Sequence, residues 1–147
     1  MYSVYISGPY RADTEDQVCK NILDAKREAV RWWKEGFGVF CPHLNSAGME
    51  HEDIHDEQFI EFDLQILKHS DVVIMIGDWP NSTGACREHV KAKELNKILV
   101  YRHPLLQYEF YLDRAGVRES TTHCLLSLAA RMIKEYLDES QENLSHI

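Results

Sequence analysis

The chain has 147 residues, 44% of them apolar and 27% charged, which suits one globular domain with its own core. A net charge of −8 argues against a general binder of nucleic-acid polymers, and no apolar run reaches the length of a membrane span. The four cysteines, Cys19, Cys41, Cys86 and Cys124, form no CxxC pair and read as reduced cytoplasmic thiols used as small core residues.

Residues 2–7, YSVYIS, predict a first strand, broken by Gly8, Pro9, Tyr10 and Arg11. A helix starts near Asp13 or Thr14, where Thr14 and Gln17 match a capping box. Val18, Ile22, Ala25, Ala29, Trp32 and Trp33 keep helical spacing up to a stop at Gly36. Residues 38–41 make a short second strand closed by Pro42, so strand, helix and strand predict a right-handed crossover with parallel pairing. The polar stretch 43–56 reads as a loop over the sheet edge. A second helix over 56–69 turns Phe59, Ile60, Leu64 and Leu67 inward, and Asp63 lies near the centre of that set.

Residues 72–76, VVIMI, predict a strand buried on both faces. The breakers Gly77, Asp78, Trp79, Pro80 and Asn81 follow, then a helix capped by Ser82 or Thr83. A fourth strand covers 98–101. The aromatic-rich segment 102–118 is open to three readings: a short helix, a lid or an oligomer contact. A last helix begins near Thr122 with Leu125, Leu128, Ala129, Met132, Ile133 and Tyr136 on one face, and the tail 139–147 is expected to fray. The sum is one domain over 1–147, with a core over 2–101 and a C-terminal part over 102–138. The expected fold is α/β, a flavodoxin-like or Rossmann-like three-layer sandwich around a parallel sheet of four to five strands.

The strand, loop and helix start around Ser82 form the arrangement in which open α/β sheets bind ligands. On a helical wheel Glu88 falls among small and apolar residues, where a carboxylate is costly unless paired or functional. An arginine partner is the structural alternative. Gly84 lies one turn above and leaves room for a ligand. Asp63 is a second inward carboxylate on the other side of the central strand. The loop after strand one brings Ser7, Gly8 and Arg11 to the same edge, with Tyr5 as an aromatic hydroxyl, and Asp78 adds a candidate substrate contact. Two carboxylates, an arginine and a capped helix start suit chemistry on a sugar that bears an anionic group. Ser82 and the amides after it would hold the phosphate. His51-Glu52-Asp53-Ile54-His55 fits HExxH, but its acidic surroundings lack helical periodicity, so a solvated loop is preferred to a zinc site. No metal and no cofactor are expected.

Val4 to Arg11, then Asp63-Leu64 with Ser70 to Val73, then Ser82 to Glu88 together resemble the nucleoside 2-deoxyribosyltransferase superfamily. They also resemble its relatives, the 2'-deoxynucleoside 5'-monophosphate N-glycosidases, and an uncharacterised phage and bacterial branch of the group. The resemblance spans about residues 2–101. It implies that Glu88 is a nucleophile forming a covalent sugar–enzyme intermediate, that Asp63 positions or protonates the base, and that Tyr5 orients Glu88. Ser82, where the transferases commonly carry an aspartate, and Arg11 match the monophosphate hydrolases better. The implied partner is a small nucleotide or nucleoside, and the implied assembly a homo-oligomer. A deoxyribosyltransferase and a non-catalytic nucleotide sensor remain the alternatives.

Overall fold

The computed structural model describes residues 1–145. Four strands run parallel: β1 (Ser3–Ser7), β2 (Gly38–Phe40), β3 (Val72–Met75) and β4 (Ile98–His103). Two more, β5 (Gln107–Arg114) and β6 (Val117–Leu125), run antiparallel at one side, and the sheet order is β2-β1-β3-β4-β5-β6. Among the described residues five α-helices accompany them: α1 (Glu15–Lys34), α2 (Pro42–Ser46), α3 (Asp56–Lys68), α4 (Thr83–Glu94) and α5 (Leu126–Ser145). The parallel part has the flavodoxin-like order, but the expected purely parallel sheet of four to five strands is corrected to a mixed sheet of six. The reason lies in the connection after β4. Only Pro104–Leu106 separate it from β5, too short a link for a crossover helix, so the chain returns antiparallel.

The strand alternation divides the core into two layers. Val4, Ile6, Val72, Ile74 and Val100 point to one face and pack with Ala25, Ala29 and Trp32 of α1 and Ala129, Ala130 and Ile133 of α5. Tyr5, Val73 and Met75 point to the other and pack with Leu67 of α3 and Ala85 and Ala92 of α4. A strand buried on both faces must be apolar at every position, and residues 72–76 are all buried. Thr14 caps α1 by accepting from the Gln17 amide at 3.1 Å. The Gln17 side chain turns to Asn21 instead, so only half of the capping box forms. Trp33 lies outside the core at 53% exposure, because the helix buries a narrower stripe than its apolar residues mark out.

Three further expectations are revised. Residues 42–46 form α2, with Pro42 in its first turn, where the missing N–H costs nothing. The 102–118 segment is neither an α-helix nor a lid: it holds the end of β4, the Pro104–Leu106 link, β5 and the start of β6, and the last two are joined at Ala115 and Gly116, whose φ values of 50° and 79° suit a tight hairpin. Helix α5 therefore starts at Leu126, later than Thr122, and it continues to Ser145, past the point where fraying was expected. Tyr2 donates to Asp138, and the Tyr136 hydroxyl donates to the Asp113 carbonyl at 3.0 Å, tying the helix back to the sheet. Residues 146–147 of the expected tail lie outside the described residues.

Candidate active site

The carboxyl ends of β1 and β3 open into a cavity of about 490 Å³, within the size range of small-molecule sites. Helix α4 forms one wall, α3 a second and α2 a third. Glu88 lies at its floor, and Asp63, Gly8, Arg11, Ser82 and Gly84 line it as well. Tyr5 and Ser7 stand beneath, fully buried on β1. Strand geometry explains the pairing: residues two apart in β1 point to the same face, so both hydroxyls reach the same helix.

Glu88 is 8% exposed. The Tyr5 hydroxyl donates to Oε2, and the Ser7 hydroxyl donates to Oε1 at 2.9 Å. The neighbouring arginine, Arg87, faces outward and grips Glu57 at 2.9 and 2.8 Å, so it does not serve as the partner of Glu88. Burial pushes the Glu88 carboxyl up to about 8. The two hydroxyl donors hold it down, and the nearby Asp63 charge adds to the rise. Asp63, half-buried on α3, is raised by burial to about 6. Tyr5 is driven well above its ordinary value by burial and then by the Glu88 charge, so it stays a donor. Two titratable groups displaced upward at one small cavity fit the acid–base pattern of catalytic sites.

The surroundings follow from local chemistry. Ser82 caps α4, accepting from the Ala85 amide at 3.3 Å. The Thr83 and Gly84 amides, in the first turn, have no intrahelical acceptor. A Cβ on Gly84 would meet nothing within 4 Å, so the residue leaves the helix start open. A Cβ on Gly8 would come within 2.6 Å of Ile76 Cγ1, so only glycine lets β1 turn so close to β3. Arg11 forms an ion pair with Asp56 at the start of α3, and both are more than half exposed at the cavity mouth.

Asp78 stands apart from the other candidate residues. It does not line this cavity, and its carboxylate accepts from Asn81 Nδ2 at 3.0 and 2.9 Å inside the turn before α4. The HExxH stretch precedes α3 in turns, with His55 as the residue ahead of the first helical turn and His51 exposed, so no helix presents both rings. Among the described residues no group of histidine, cysteine and acidic side chains is arranged to hold a metal. Sequence reasoning passed over Tyr10, His43, Ser46, Glu50 and Asp56, all of which face the cavity. A periodicity signal was absent for most of them, since they come from a five-residue helix and a turn.

One solved structure of similar fold is a 2-deoxyribosyltransferase from the psychrotolerant bacterium Bacillus psychrosaccharolyticus. It is 24% identical, with a TM-score of 0.52 over 69% of this chain and 72% of that one. Another is a 2-deoxyribosyltransferase from Leishmania mexicana, 17% identical, with a TM-score of 0.46 over 69% of this chain and 64% of that one. At 24% identity the likeness to the first of these is one of fold. No curated protein matches the sequence. Among the described residues no helix is long and apolar enough to cross a membrane. A family model matches residues 2–101, which take in β1, β2, β3, the first four residues of β4 and the whole cavity wall, and the chain belongs to that family, the domain of unknown function DUF4406.

Proposed function

We propose that this protein cleaves the N-glycosidic bond of a nucleoside 5'-monophosphate, in its deoxy form, through a covalent glycosyl ester on Glu88. The observation that carries this reading is a glutamate buried at a cavity floor, held by two neutral hydroxyls, with a second raised carboxyl lining the same cavity. A Glu88 oxygen attacks C1' of the sugar. The bond from C1' to the base nitrogen breaks, its electron pair goes to the base, and Asp63 gives the base its proton. Water then attacks C1', Asp63 takes the proton back, and Glu88 is released. Tyr5 and Ser7 fix the carboxylate in line with the sugar and limit its basicity.

The sheet order supports one orientation of the substrate. From β3 to β1 to β2 the carboxyl edge runs from the start of α4, past Glu88, to α2, a span of about 10 Å at the usual strand spacing. The phosphate belongs at the first reading point, on the Thr83 and Gly84 amides beside Ser82. Arg11 would exchange Asp56 for the anion. The sugar then lies over Glu88 and the base beneath α2.

A deoxyribosyltransferase is the second reading, favoured by the fold shared with a protein of that name. It differs in the acceptor, a second base instead of water. Incubating the protein with deoxynucleoside 5'-monophosphates and deoxynucleosides, with and without a second free base, tests both by chromatography. Free base from monophosphates alone supports the hydrolase. A new nucleoside or nucleotide only in the presence of the second base supports the transferase. No change in any mixture contradicts both and leaves a binding protein.

A further inference from the structure

We propose that the α2 end of the cavity selects a base that carries an exocyclic amino group, and that Glu50 is the residue that reads it. The inference rests on the placement of the sugar over Glu88 and goes on to name the substrate class.

The side-chain hydrogens at this end are already committed inward. The Tyr10 hydroxyl donates to Glu50 Oε2 at 2.8 Å. The Ser46 hydroxyl donates to the Pro42 carbonyl at 3.2 Å. His43 Nε2 lies 3.0 Å from the Pro9 carbonyl, which can only accept, so that nitrogen carries the proton. His43 is 4% exposed, and burial keeps its ring neutral, which leaves Nδ1 as an acceptor beside Cys41. What remains toward the cavity is acceptor capacity: the Ser46 oxygen and, foremost, the Glu50 carboxylate. The Tyr10 hydrogen bond holds Glu50 below its ordinary value, so it is charged at neutral pH. The cation on this lining, Arg11, is turned to Asp56.

A carboxylate accepts and does not donate. Cytosine, adenine and guanine bring an amino group to such a wall. Uracil and hypoxanthine place a carbonyl oxygen where cytosine and adenine carry that amino group, and two acceptors then face each other with no hydrogen between them. An unmatched polar pair of this kind discriminates more strongly than a lost apolar contact.

The test uses two pairs that differ by amino for oxo: 2'-deoxycytidine against 2'-deoxyuridine 5'-monophosphate, and 2'-deoxyadenosine against 2'-deoxyinosine 5'-monophosphate. Base release gives kcat/KM with the intact protein, and calorimetry gives Kd with the Glu88→Gln variant, which keeps the substrate whole. The amino member of each pair is expected to lead by about ten- to a hundred-fold in both. In a Glu50→Gln background, whose amide can donate as well as accept, each ratio should fall to within about threefold. Base release at equal rates within each pair would overturn the proposal and leave the glycosidase reading standing. Binding that favours the amino member without any base release would support the proposal and sink the glycosidase reading. No release together with unselective or absent binding would overturn both.

Discussion

Two buried glutamates, Glu28 and Glu88, are treated in opposite ways by the same fold. Glu28 lies in the closed layer under α1, fully buried. Arg31 donates to it at 2.9 Å, Arg102 at 3.2 Å, the Trp32 indole at 2.9 Å and the Tyr108 hydroxyl at 2.7 Å. Arg102 continues to Asp24 with two bonds of 2.9 and 2.8 Å. Charge is met by charge, every lone pair has a donor, and the group has nothing left to offer. Glu88 is buried nearly as deeply but receives only two neutral donors and faces a cavity. Desolvation without a matching cation is what lifts its pKa. A buried carboxyl alone does not mark a site; an unbalanced one beside open space does.

Replacing each glutamate should therefore damage a different property. Glu88→Gln keeps the shape and removes the nucleophile, so base release should fall by at least about three orders of magnitude in single-turnover assays, with an unchanged circular dichroism spectrum. Glu28→Ala leaves the Trp32 and Tyr108 donors unpaired in the core and takes from Arg102 one of its two carboxylates, so it should cost about 3–5 kcal/mol in urea unfolding, while the folded fraction keeps its turnover number. A Glu28 variant that is stable but inactive would erase the distinction.

The pH dependence of stability sharpens the comparison. Glu88 has an ordinary value of 4.5 when unfolded and about 8 when folded. Between those values the native state holds a proton that the unfolded chain has released. The stabilisation is complete below about 4.5 and is lost as pH rises through about 8, with a slope of about 1.4 kcal/mol per pH unit. Asp63, raised from 3.8 to about 6, contributes in the same direction at lower pH. The stability gap between Glu88→Gln and wild type should thus widen in favour of the variant from pH 6 to pH 8. A gap independent of pH would mean that Glu88 titrates as an exposed carboxylate does.

Tyr5→Phe is the mildest change. Removing the Tyr5 donor lets the Glu88 value rise further. Base release should follow a bell with limbs near pH 6 and pH 8, the macroscopic values of the coupled pair. In Tyr5→Phe the alkaline limb should move up and the plateau should fall by about tenfold. A lower plateau with the limb unmoved would restrict Tyr5 to packing.

The same contrast shows what the sequence made legible. Glu88 stood out because it falls between Ala85 and Ala92 on a helical face, and Asp63 because it sits among Phe59, Ile60 and Leu67. Glu28 carries the same signal, between Ala25 and Trp32, and it was not singled out. Periodicity reports that a carboxyl faces inward; what meets it there comes from Arg102 and Tyr108, more than 70 residues away. The parallel strands were readable from apolar runs and flanking breakers. The β5–β6 hairpin was obscured because its aromatics suggested a lid, although Tyr108, Phe110 and Leu112 alternate inward as a strand requires. Strand β6 is exposed along most of its length, so it carries little hydrophobic pattern. Asp78 has its loop at the same sheet edge, but its side chain serves the turn itself, a contact that no pattern of spacing reveals.

The central claim is that Glu88 becomes bonded to the sugar. Rapid quenching of the protein with a deoxynucleoside 5'-monophosphate, followed by peptide mass spectrometry, tests it directly. The account predicts a mass increase of one deoxyribose phosphate, confined to the peptide that contains Glu88 and absent from Glu88→Gln. Base release with no adduct at any quench time, or an adduct on another residue, would contradict it.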